Sequence, residues 1–284
     1  MSANRFITTC PVGCGQQLVE TDIILAEGPL LRCSVCSQLL SSCTHEQYER
    51  ALNKWDTPNG TQPDPRSVSR FRHVIKRRLR DIRRLLGSPP TPPRLLDIGC
   101  SSGALLAVAT EGGFSVTGVE IADKAVETAR LAGFEVFCGH LHEADFPHST
   151  FDVITCFELI EHLDSPIGLL TECRRIMKPG GLFAINTPNA DSWTARVMRE
   201  QWEGFSLTSM GGHISFFSPR SLARLAGQCG FRVERLETRR VRFAESYQVS
   251  PIVYHSLKVM GEILNVPSSF LNKGHDMLAF LRKV

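Results

Sequence analysis

The sequence of 284 residues predicts an α/β protein, in which a mostly parallel sheet carries helices on both faces and a small cysteine-rich segment precedes it. Two observations lead to this fold class. From Arg94 onward, short apolar runs alternate with helix-like segments, which is typical of parallel sheets. Five of the ten cysteines lie before residue 44. With 42% apolar and 21% charged residues the chain can bury a core, which excludes wholesale disorder.

The strands and helices follow from hydrophobic periodicity. Strands are predicted at Arg94–Gly99, Ser115–Glu120, Glu135–Gly139, Phe151–Phe157, Leu182–Thr187, Phe231–Thr238 and Met277–Leu281. Helices are predicted at Ser67–Leu86, Ala104–Gly112, Lys124–Ala132, Ile167–Met177, Ser221–Cys229 and near Tyr254–Leu264. The proline- and glycine-rich stretch Asp56–Pro65 breaks regular structure and indicates a boundary.

The most informative segment is the glycine-containing turn that ends the first of these strands, Leu95–Gly103. Gly99 can adopt backbone angles closed to larger residues and lets a ligand approach the backbone. The full Gly-x-Gly-x-x-Gly pattern is absent, which disfavours NAD. Glu120 ends the second strand, where a carboxylate can accept hydrogen bonds from both hydroxyls of a ribose. The alternative is a plain tight turn followed by a solvated strand end.

Two further motifs support a family resemblance: Phe151–Leu163, at the fourth strand, and Lys178-Pro179-Gly180-Gly181, before the fifth. With the glycine loop and Glu120, they make residues 94–284 resemble the class I S-adenosylmethionine-dependent methyltransferases. The chain is most similar to the ubiquinone-biosynthesis O-methyltransferase group and its relatives in natural-product and glycan pathways. The resemblance implies a Rossmann-like seven-stranded sheet, mostly parallel with the last strand antiparallel, and S-adenosylmethionine as cofactor.

The resemblance also implies which residues hold the cofactor. Gly99 and its neighbours would hold the methionine end, Glu120 the ribose, and Ile121 and Phe157 would wall the adenine and the central part. Ser101 replaces a common glycine, and His140 stands where many relatives have an acid near the adenine. The full set of cofactor residues expected on this basis is Asp97, Gly99, Cys100, Ser101, Gly103, Glu120, Ile121, His140 and Phe157.

Methyl transfer to oxygen benefits from a general base, and His213 is the first candidate. It follows the fifth strand and an insertion that contains Trp193 and Trp202, in a loop that Gly211 and Gly212 make flexible. The related methyltransferases carry a histidine at the matching place. A neutral imidazole titrating near working pH would take the hydroxyl proton. The alternative is a histidine that caps the next helix or bonds the backbone.

His162 and Glu158 are further catalytic candidates, within Glu158-Leu159-Ile160-Glu161-His162. If this stretch is helical, Glu158 and His162 face the same way. In ubiquinone-pathway relatives a Glu-x-x-Glu-His stretch is linked to Mg²⁺, although Mg²⁺ prefers oxygen ligands. The alternative is a hydrogen-bond network under the cofactor.

The N-terminal cysteines form two pairs, Cys10 with Cys14 and Cys33 with Cys36, and look like a zinc ribbon. Thiolates at this spacing can complete a tetrahedral Zn²⁺ site, and so short a segment has too little core to fold without one. Cys43 and His45 are substitute ligands, and unrelated buried cysteines are the alternative. The predicted organisation is a zinc ribbon over 1–45, a linker over 46–66 and a methyltransferase domain over 67–284.

Three functions remain open at this point. The first is O-methylation of a hydroxylated small molecule or sugar in biosynthesis. The second is methylation of a guanine base in rRNA, which is implied by the resemblance to a bacterial guanine-methylating family of similar length that also has a zinc ribbon in front of its methyltransferase domain. The nine Lys/Arg residues and one Asp of residues 66–84 suit RNA, although the net charge is only +3 and a solvated helix face is the alternative. The third is a non-catalytic cofactor-binding scaffold. With no secretory signal and no apolar run of about 18 residues, a cytoplasmic protein without a transmembrane segment is expected; the oligomeric state stays open.

Overall fold

The computed structural model describes residues 5–15, 17–53, 65–87, 91–244 and 249–284. The strands within these ranges are β1 (Leu18–Leu25), β2 (Gly28–Cys33), β3 (Leu39–Leu40), β4 (Arg94–Ile98), β5 (Ser115–Glu120), β6 (Val136–Cys138), β7 (Phe151–Phe157), β8 (Met177–Pro188), β9 (Ser215–Phe216), β10 (Phe231–Arg239) and β11 (Asp276–Lys283). The helices are α1 (His45–Leu52), α2 (Pro65–Leu86), α3 (Ala104–Glu111), α4 (Asp123–Leu131), α5 (Pro166–Ile176), α6 (Trp193–Met198), α7 (Pro219–Gln228) and α8 (Pro251–Phe270).

Seven strands form the main sheet in the order β10-β11-β8-β7-β4-β5-β6. The pairs of β4 with β5 and β7, of β5 with β6 and of β7 with β8 are parallel, whereas β11 is antiparallel to both β8 and β10. The predicted fold class, including the antiparallel last strand, is therefore confirmed. The strand order reverses at β4, and ligands of open α/β sheets bind outside the carboxyl ends of the strands at such a point.

Both faces of the sheet are covered, as the continuous apolar strands require. On one face α2 packs Ile75, Leu79 and Ile82 against Leu95 and Phe280. The other face is covered by α5 and α7, whose buried side chains include Leu170, Cys173, Leu222 and Leu225. The predicted helix over Ser67–Leu86 is thus present, and its apolar stripe is what holds it on the sheet.

A second sheet, in the order β1-β2-β3-β9, joins the N-terminal segment to the insertion between β8 and α7. Leu40 pairs with Ser215 and Leu39 with Phe216, and the Ser41 amide donates to the carbonyl oxygen of Ile214 at 3.0 Å. The two segments also share buried side chains, because Leu31 and Leu40 lie in one cluster with Leu207 and Ile214. The cysteine-bearing segment is therefore fastened to the part of the chain that carries His213.

The range 46–66, predicted as a linker, begins within α1. A capping box that the sequence analysis did not identify starts this helix. The side chain of Thr44 accepts from the Gln47 amide, and the side chain of Gln47 accepts from the Thr44 amide. Residues 54–64, which include most of the proline-rich stretch, lie outside the described residues.

The fifth strand of the main sheet, β8, starts earlier than the sequence predicts. Met177 still pairs with Phe151, so the motif Lys178–Gly181 forms an irregular strand start, with Gly180 at φ +71°, and not a separate turn. Within the described ranges, no helix combines the length and the hydropathy that crossing a bilayer requires.

Candidate active site

The loop between β4 and α3 is shaped by residues with positive φ. Gly99 has φ +75°, Ser101 +48° and Gly103 +85°. The amides of Gly99 and Cys100 donate to the Val119 carbonyl oxygen at 2.8 and 3.2 Å, which holds the loop at the end of β5. A Cβ on Gly118 would come within 2.5 Å of the Cys100 sulfur, so that glycine lets the loop lie directly on β5. The residues present fit a cofactor whose polar end approaches backbone rather than side chains.

The carboxylate of Glu120 is tied to the same loop. Its Oε2 accepts from the Ser101 amide at 2.9 Å, and its Oε1 accepts from the amides of Ile121 and Ala122 at 2.8 and 3.0 Å. Ile121 is 57% exposed next to it. His140 is also exposed, at the carboxyl end of β6, and its amide donates to Glu143. The sequence-predicted cofactor residues on β4, β5 and β6 therefore meet at one edge of the sheet.

Asp97 lies beneath this edge and is 4% exposed. The Thr155 hydroxyl donates to its Oδ1 at 2.6 Å across the β4–β7 pair. Burial, and to a smaller extent the nearby Glu120 carboxylate, raise the pKa of Asp97 to about 7 against the lowering effect of the Thr155 hydrogen bond.

Arg78 is a site residue that the sequence reasoning missed. It reaches from α2 to the carboxyl ends of β7 and β8, where its Cζ lies 4.6 Å from the centroid of the Phe157 ring and its Nη2 donates to Asn186 Oδ1. Its Nε is buried and has no hydrogen-bond partner among the described residues. Burial lowers the pKa of Arg78, which the Glu158 carboxylate partly offsets. A desolvated guanidinium with a free donor beside the cofactor residues suits an anionic group of a ligand.

Glu158, Glu161 and His162 follow Phe157, but not on one helix. A single 3₁₀ turn begins only at Ile160, and Glu158 has φ +53°. The expectation that Glu158 and His162 share a helix face is therefore wrong. Glu158 is exposed as a residue, but its carboxyl group is surrounded by protein. Burial and then Asp276 raise the pKa of Glu158 to about 7, against an opposing effect from Arg78.

Glu161, His162 and His213 form the group that the structure does bring together, with ligand atoms all within 4.8 Å of one another. Glu161 Oε2 accepts from the Thr187 hydroxyl at 2.9 Å, and Oε1 lies 3.8 Å from His213 Nε2. The two imidazole rings meet edge to face, with centroids 4.7 Å apart. Burial and then the Glu158 carboxylate raise the pKa of Glu161, which favours its neutral form.

His213 is 2% exposed, so its side chain is buried and does not reach solvent. Its Nδ1 lies 3.0 Å from the carbonyl oxygen of Gly204 and must donate to it, which leaves the Nε2 lone pair directed toward Glu161. Burial lowers the pKa of His213 to about 4 and that of His162 to about 3. Both rings are neutral at working pH, which corrects the expectation that His213 titrates there.

The tryptophan-bearing insertion is packed and not open. Trp202 is 2% exposed in a cluster with Leu30, Phe205 and Phe216, and its Nε1 donates to His275 Nδ1 at 3.1 Å. Glu161, Thr187, Trp202 and His213 line a narrow pocket between this insertion and β8.

The donor set of this group does not fit Mg²⁺. Two imidazole nitrogens and one carboxylate are ligands that transition metals prefer, whereas Mg²⁺ requires a nearly complete oxygen shell. No catalytic step is therefore assigned to Mg²⁺.

The four N-terminal cysteines do fit a metal ion. The Sγ atoms of Cys10, Cys14, Cys33 and Cys36 lie within 4.8 Å of one another, and those of Cys10 and Cys36 are 3.5 Å apart. Zn–S bonds of about 2.3 Å in a tetrahedron place sulfurs at such separations. Burial raises the pKa of Cys10 to about 11, so a thiolate there needs a bound cation. Cys43, a proposed substitute ligand, is buried outside this cluster beside Ser41.

Comparisons with known proteins identify relatives of this chain. Residues 70–236 match the family model described as a methyltransferase domain. The chain is 32% identical over 161 residues to a ubiquinone biosynthesis O-methyltransferase of Thiobacillus denitrificans, covering 52% of this chain and 68% of that protein. It is 28% identical over 204 residues to a protein of the same name from Nitrosospira multiformis, covering 67% and 81%.

Solved structures show the same fold. A SAM-dependent methyltransferase from Archaeoglobus fulgidus superposes with a TM-score of 0.53 at 23% identity, covering 75% of this chain and 94% of that one. A SAM-dependent methyltransferase from Thermotoga maritima, described as a possible histamine N-methyltransferase, gives a TM-score of 0.53 at 21% identity, covering 84% and 99%. Together with the match over residues 70–236, these findings show that the chain belongs to the methyltransferase domain family and is a class I S-adenosylmethionine-dependent methyltransferase.

Proposed function

We propose that this enzyme methylates a hydroxyl oxygen of a small-molecule acceptor in a biosynthetic pathway. The proposal rests on the position of Glu158, an exposed residue directly after Phe157 at the carboxyl end of β7. Burial of its carboxyl group raises the pKa of Glu158 to about 7. A hydroxyl must lose its proton as it is methylated, and a base with a pKa near working pH is the most effective. The relatives above are named as O-methyltransferases.

The cofactor residues act mainly by binding and orientation. When bound, S-adenosylmethionine supplies a methyl group on a sulfonium that an acceptor displaces in line. The loop of Gly99, Cys100, Ser101 and Gly103 offers close backbone approach, and Glu120 can exchange its amide partners for the hydroxyls of a ribose. Ile121, next to Glu120, and His140, after β6, are both exposed and are proposed to contact the adenine.

Arg78 is proposed to bind a carboxylate, either that of the methionine end of the cofactor or one on the acceptor. Its unused Nε and its contact with Phe157 place a fixed positive charge beside the position proposed for methyl transfer. Asp97 supports the loop from below, where its Thr155 hydrogen bond fixes the ends of β4 and β7 relative to each other.

The acceptor proton is proposed to pass to Glu158, with the Glu161–His213 pair behind it. His213 cannot contact an acceptor directly at 2% exposure. Its Nε2 lies 3.8 Å from Glu161 Oε1, and a closer approach would let it accept a hydrogen bond from the neutral Glu161 carboxyl group. The His162 ring packs edge to face against the His213 ring and completes the group. His213 and His162 are therefore proposed as positioning residues and Glu158 as the general base.

The rRNA alternative receives less support from the basic helix α2. Arg72 and Lys76 pair with Glu111, Arg83 donates to the Gly112 carbonyl oxygen, and Arg78 faces the site. Much of the positive charge is thus engaged within the protein. Binding to total RNA across a salt series tests the alternative, because phosphate contacts make affinity fall steeply with salt.

The four-cysteine cluster is proposed to hold one structural Zn²⁺. Its thiols belong to a cluster that also contains Leu222 and Leu225 of α7, so the ion would hold the N-terminal segment against the main sheet.

The experiment that tests the proposed function measures release of S-adenosylhomocysteine with panels of small phenols, catechols, amines and thiols. Wild-type turnover is expected with hydroxyl acceptors, and Glu158→Gln should lower it while the cofactor still binds. Turnover confined to the amine or thiol panel would refute oxygen as the acceptor atom.

A further inference from the structure

Helix α8, inserted between β10 and β11, touches the rest of the protein along one narrow side. Gly261 and Ser268 are its buried residues. A Cβ on Gly261 would come within 2.5 Å of the Val241 carbonyl oxygen, and the Ser269 hydroxyl donates to the Thr238 carbonyl oxygen at 2.8 Å. The closest contacts of the inner side are therefore made by small and polar residues, and the half-buried Leu257 and Leu264 lie on the same side.

The outer side of α8 is apolar. The exposed fractions are 82% for Ile252, 60% for Val259, 70% for Ile263, 64% for Val266 and 84% for Phe270. Val253, Met260 and Leu271 extend this surface at 45%, 42% and 60% exposure. The apolar surface that these eight residues expose together is larger than the few hundred Å² that a monomeric protein normally exposes in one patch.

The spacing of these residues indicates what covers them. Ile252, Ser256, Val259, Ile263, Val266 and Phe270 follow each other at steps of four, three, four, three and four, which is the a/d seam of a coiled coil. Only Ser256 among them is not apolar. Apolar residues at alternating steps of three and four allow one helix to pack lengthwise along another. No helix in the described part of the chain packs against this side of α8.

We propose that α8 is a self-association surface, on which the outer sides of two α8 helices from two copies of this chain pack antiparallel. Lys258 and Glu262 are the charged residues on α8 and lie one turn apart, on one flank of the seam. Antiparallel packing about a two-fold axis near Met260 brings Lys258 close to the partner's Glu262. Parallel packing would put the charged flanks of the two copies on opposite sides of the seam, so that neither Lys258 nor Glu262 would find its opposite charge.

The available area is sufficient for such a pair. With 20 residues α8 is about 30 Å long, and half the circumference of a helix about 11 Å across is about 17 Å. Each copy then contributes about 500 Å² and the pair about 1,000 Å², which reaches the size needed for a specific interface.

A lipid bilayer is the other apolar partner to consider. Helices that lie in a bilayer interface carry a Lys- and Arg-rich polar face beside the apolar one. On α8 one Lys is balanced by one Glu, and the inner side is occupied by β10, which favours a second copy of the chain.

The experiment is light scattering of the full chain after size exclusion, across a concentration series. The wild type is expected to be a dimer. Ile263→Asp should raise the dimer dissociation constant about 100-fold or more, because each dimer would bury two unpaired carboxylates. Leu131→Asp is the matched control, since Leu131 is 83% exposed on α4, and it should leave the dimer intact.

A charge swap tests the orientation independently of folding. Lys258→Glu alone should weaken the dimer, and Lys258→Glu combined with Glu262→Lys should restore it; circular dichroism checks that each variant is folded. A monomeric wild type at all concentrations, or a dimer unaffected by Ile263→Asp, would overturn the proposal. Co-sedimentation of a monomeric wild type with vesicles of phosphatidylcholine and phosphatidylglycerol would overturn it in favour of a bilayer.

Discussion

The Tyr48 hydroxyl donates to the backbone carbonyl oxygen of His162 at 2.7 Å, across a separation of 114 residues in the chain. Tyr48 lies on α1, directly after the cysteine-bearing segment, and its burial raises its pKa to about 12, so it remains a donor at working pH. This hydrogen bond and the β3–β9 pair together hold the N-terminal segment against the chain around His162 and His213, the two histidines of the group that includes Glu161. The order of the proposed zinc segment and the order of the acceptor side of the site are therefore linked.

Loss of the metal should disturb the acceptor side and spare the cofactor side. Elemental analysis should find one zinc per chain in protein purified without chelator, and none in Cys33→Ser. In the variant, amides of 213–216 should exchange with solvent faster because β3 no longer holds β9, while S-adenosylmethionine affinity stays nearly unchanged. Cys229→Ser, which removes a thiol outside the cluster, is the control. Unchanged protection of 213–216 in zinc-free protein would contradict the link.

Glu120→Ala should weaken S-adenosylmethionine binding more than tenfold. Removing the carboxylate leaves ribose hydroxyls unpaired, at a cost on the order of 1–3 kcal/mol, and also frees the three amides that Glu120 accepts from. Isothermal titration calorimetry measures the change. Glu135→Ala is the control, because Glu135 is an exposed acidic residue directly before β6. Equal affinity in the two variants would remove Glu120 from the site.

Arg78→Gln should weaken binding of a carboxylate-bearing ligand about tenfold or more, because a desolvated charged hydrogen bond is lost. Arg80→Gln is the matched control, since Arg80 is an exposed residue of the same helix. Calorimetry with S-adenosylmethionine distinguishes the two ligands: an effect there assigns Arg78 to the cofactor, and an effect limited to KM for the acceptor assigns it to the acceptor. If neither changes, Arg78 only packs against Phe157.

Turnover should rise with pH through about 7, because Glu158 must lose its proton to act as a base and its pKa is raised to about that value. Glu158→Gln should remove this limb of the kcat profile and lower kcat about 100- to 10,000-fold. His213→Gln should lower kcat without moving the limb, since the pKa of His213 lies near 4 and the ring is neutral throughout. A limb that persists in Glu158→Gln and vanishes in His213→Gln would return the role of base to His213.

Most of the main sheet was predictable because its strands are continuous apolar runs, separated by turns that contain glycine. The β4–α3 loop and Glu120 were identified for the same local reason, since the turn and the acid occupy fixed places in a strand–helix–strand unit. The second sheet was not predictable: β3 and β9 have two residues each and pair across more than 170 positions, which no local periodicity records. The capped helix α1 was missed because it carries few apolar residues.

The acceptor side of the site was predicted only in part. His162, Glu158 and His213 were identified as candidates, but the helix assumed for Glu158–His162 does not form, and Glu161 emerged as the central carboxyl group only from the tertiary contacts of Thr187 and His213. Arg78 did leave a signal. It falls among Ile75, Leu79 and Ile82 on the apolar stripe of α2, and a charged residue on a buried face indicates a specific partner.

Transfer of the methyl group of S-adenosylmethionine to a hydroxyl oxygen can be followed directly by NMR. The purified enzyme is incubated with a metabolite extract and with S-adenosylmethionine that carries a carbon-13 methyl group. New labelled signals are expected at methoxy shifts, and they should be lost with Glu120→Ala and Glu158→Gln. Label that appears only at N-methyl or C-methyl shifts, or only in RNA, would contradict transfer to a hydroxyl oxygen.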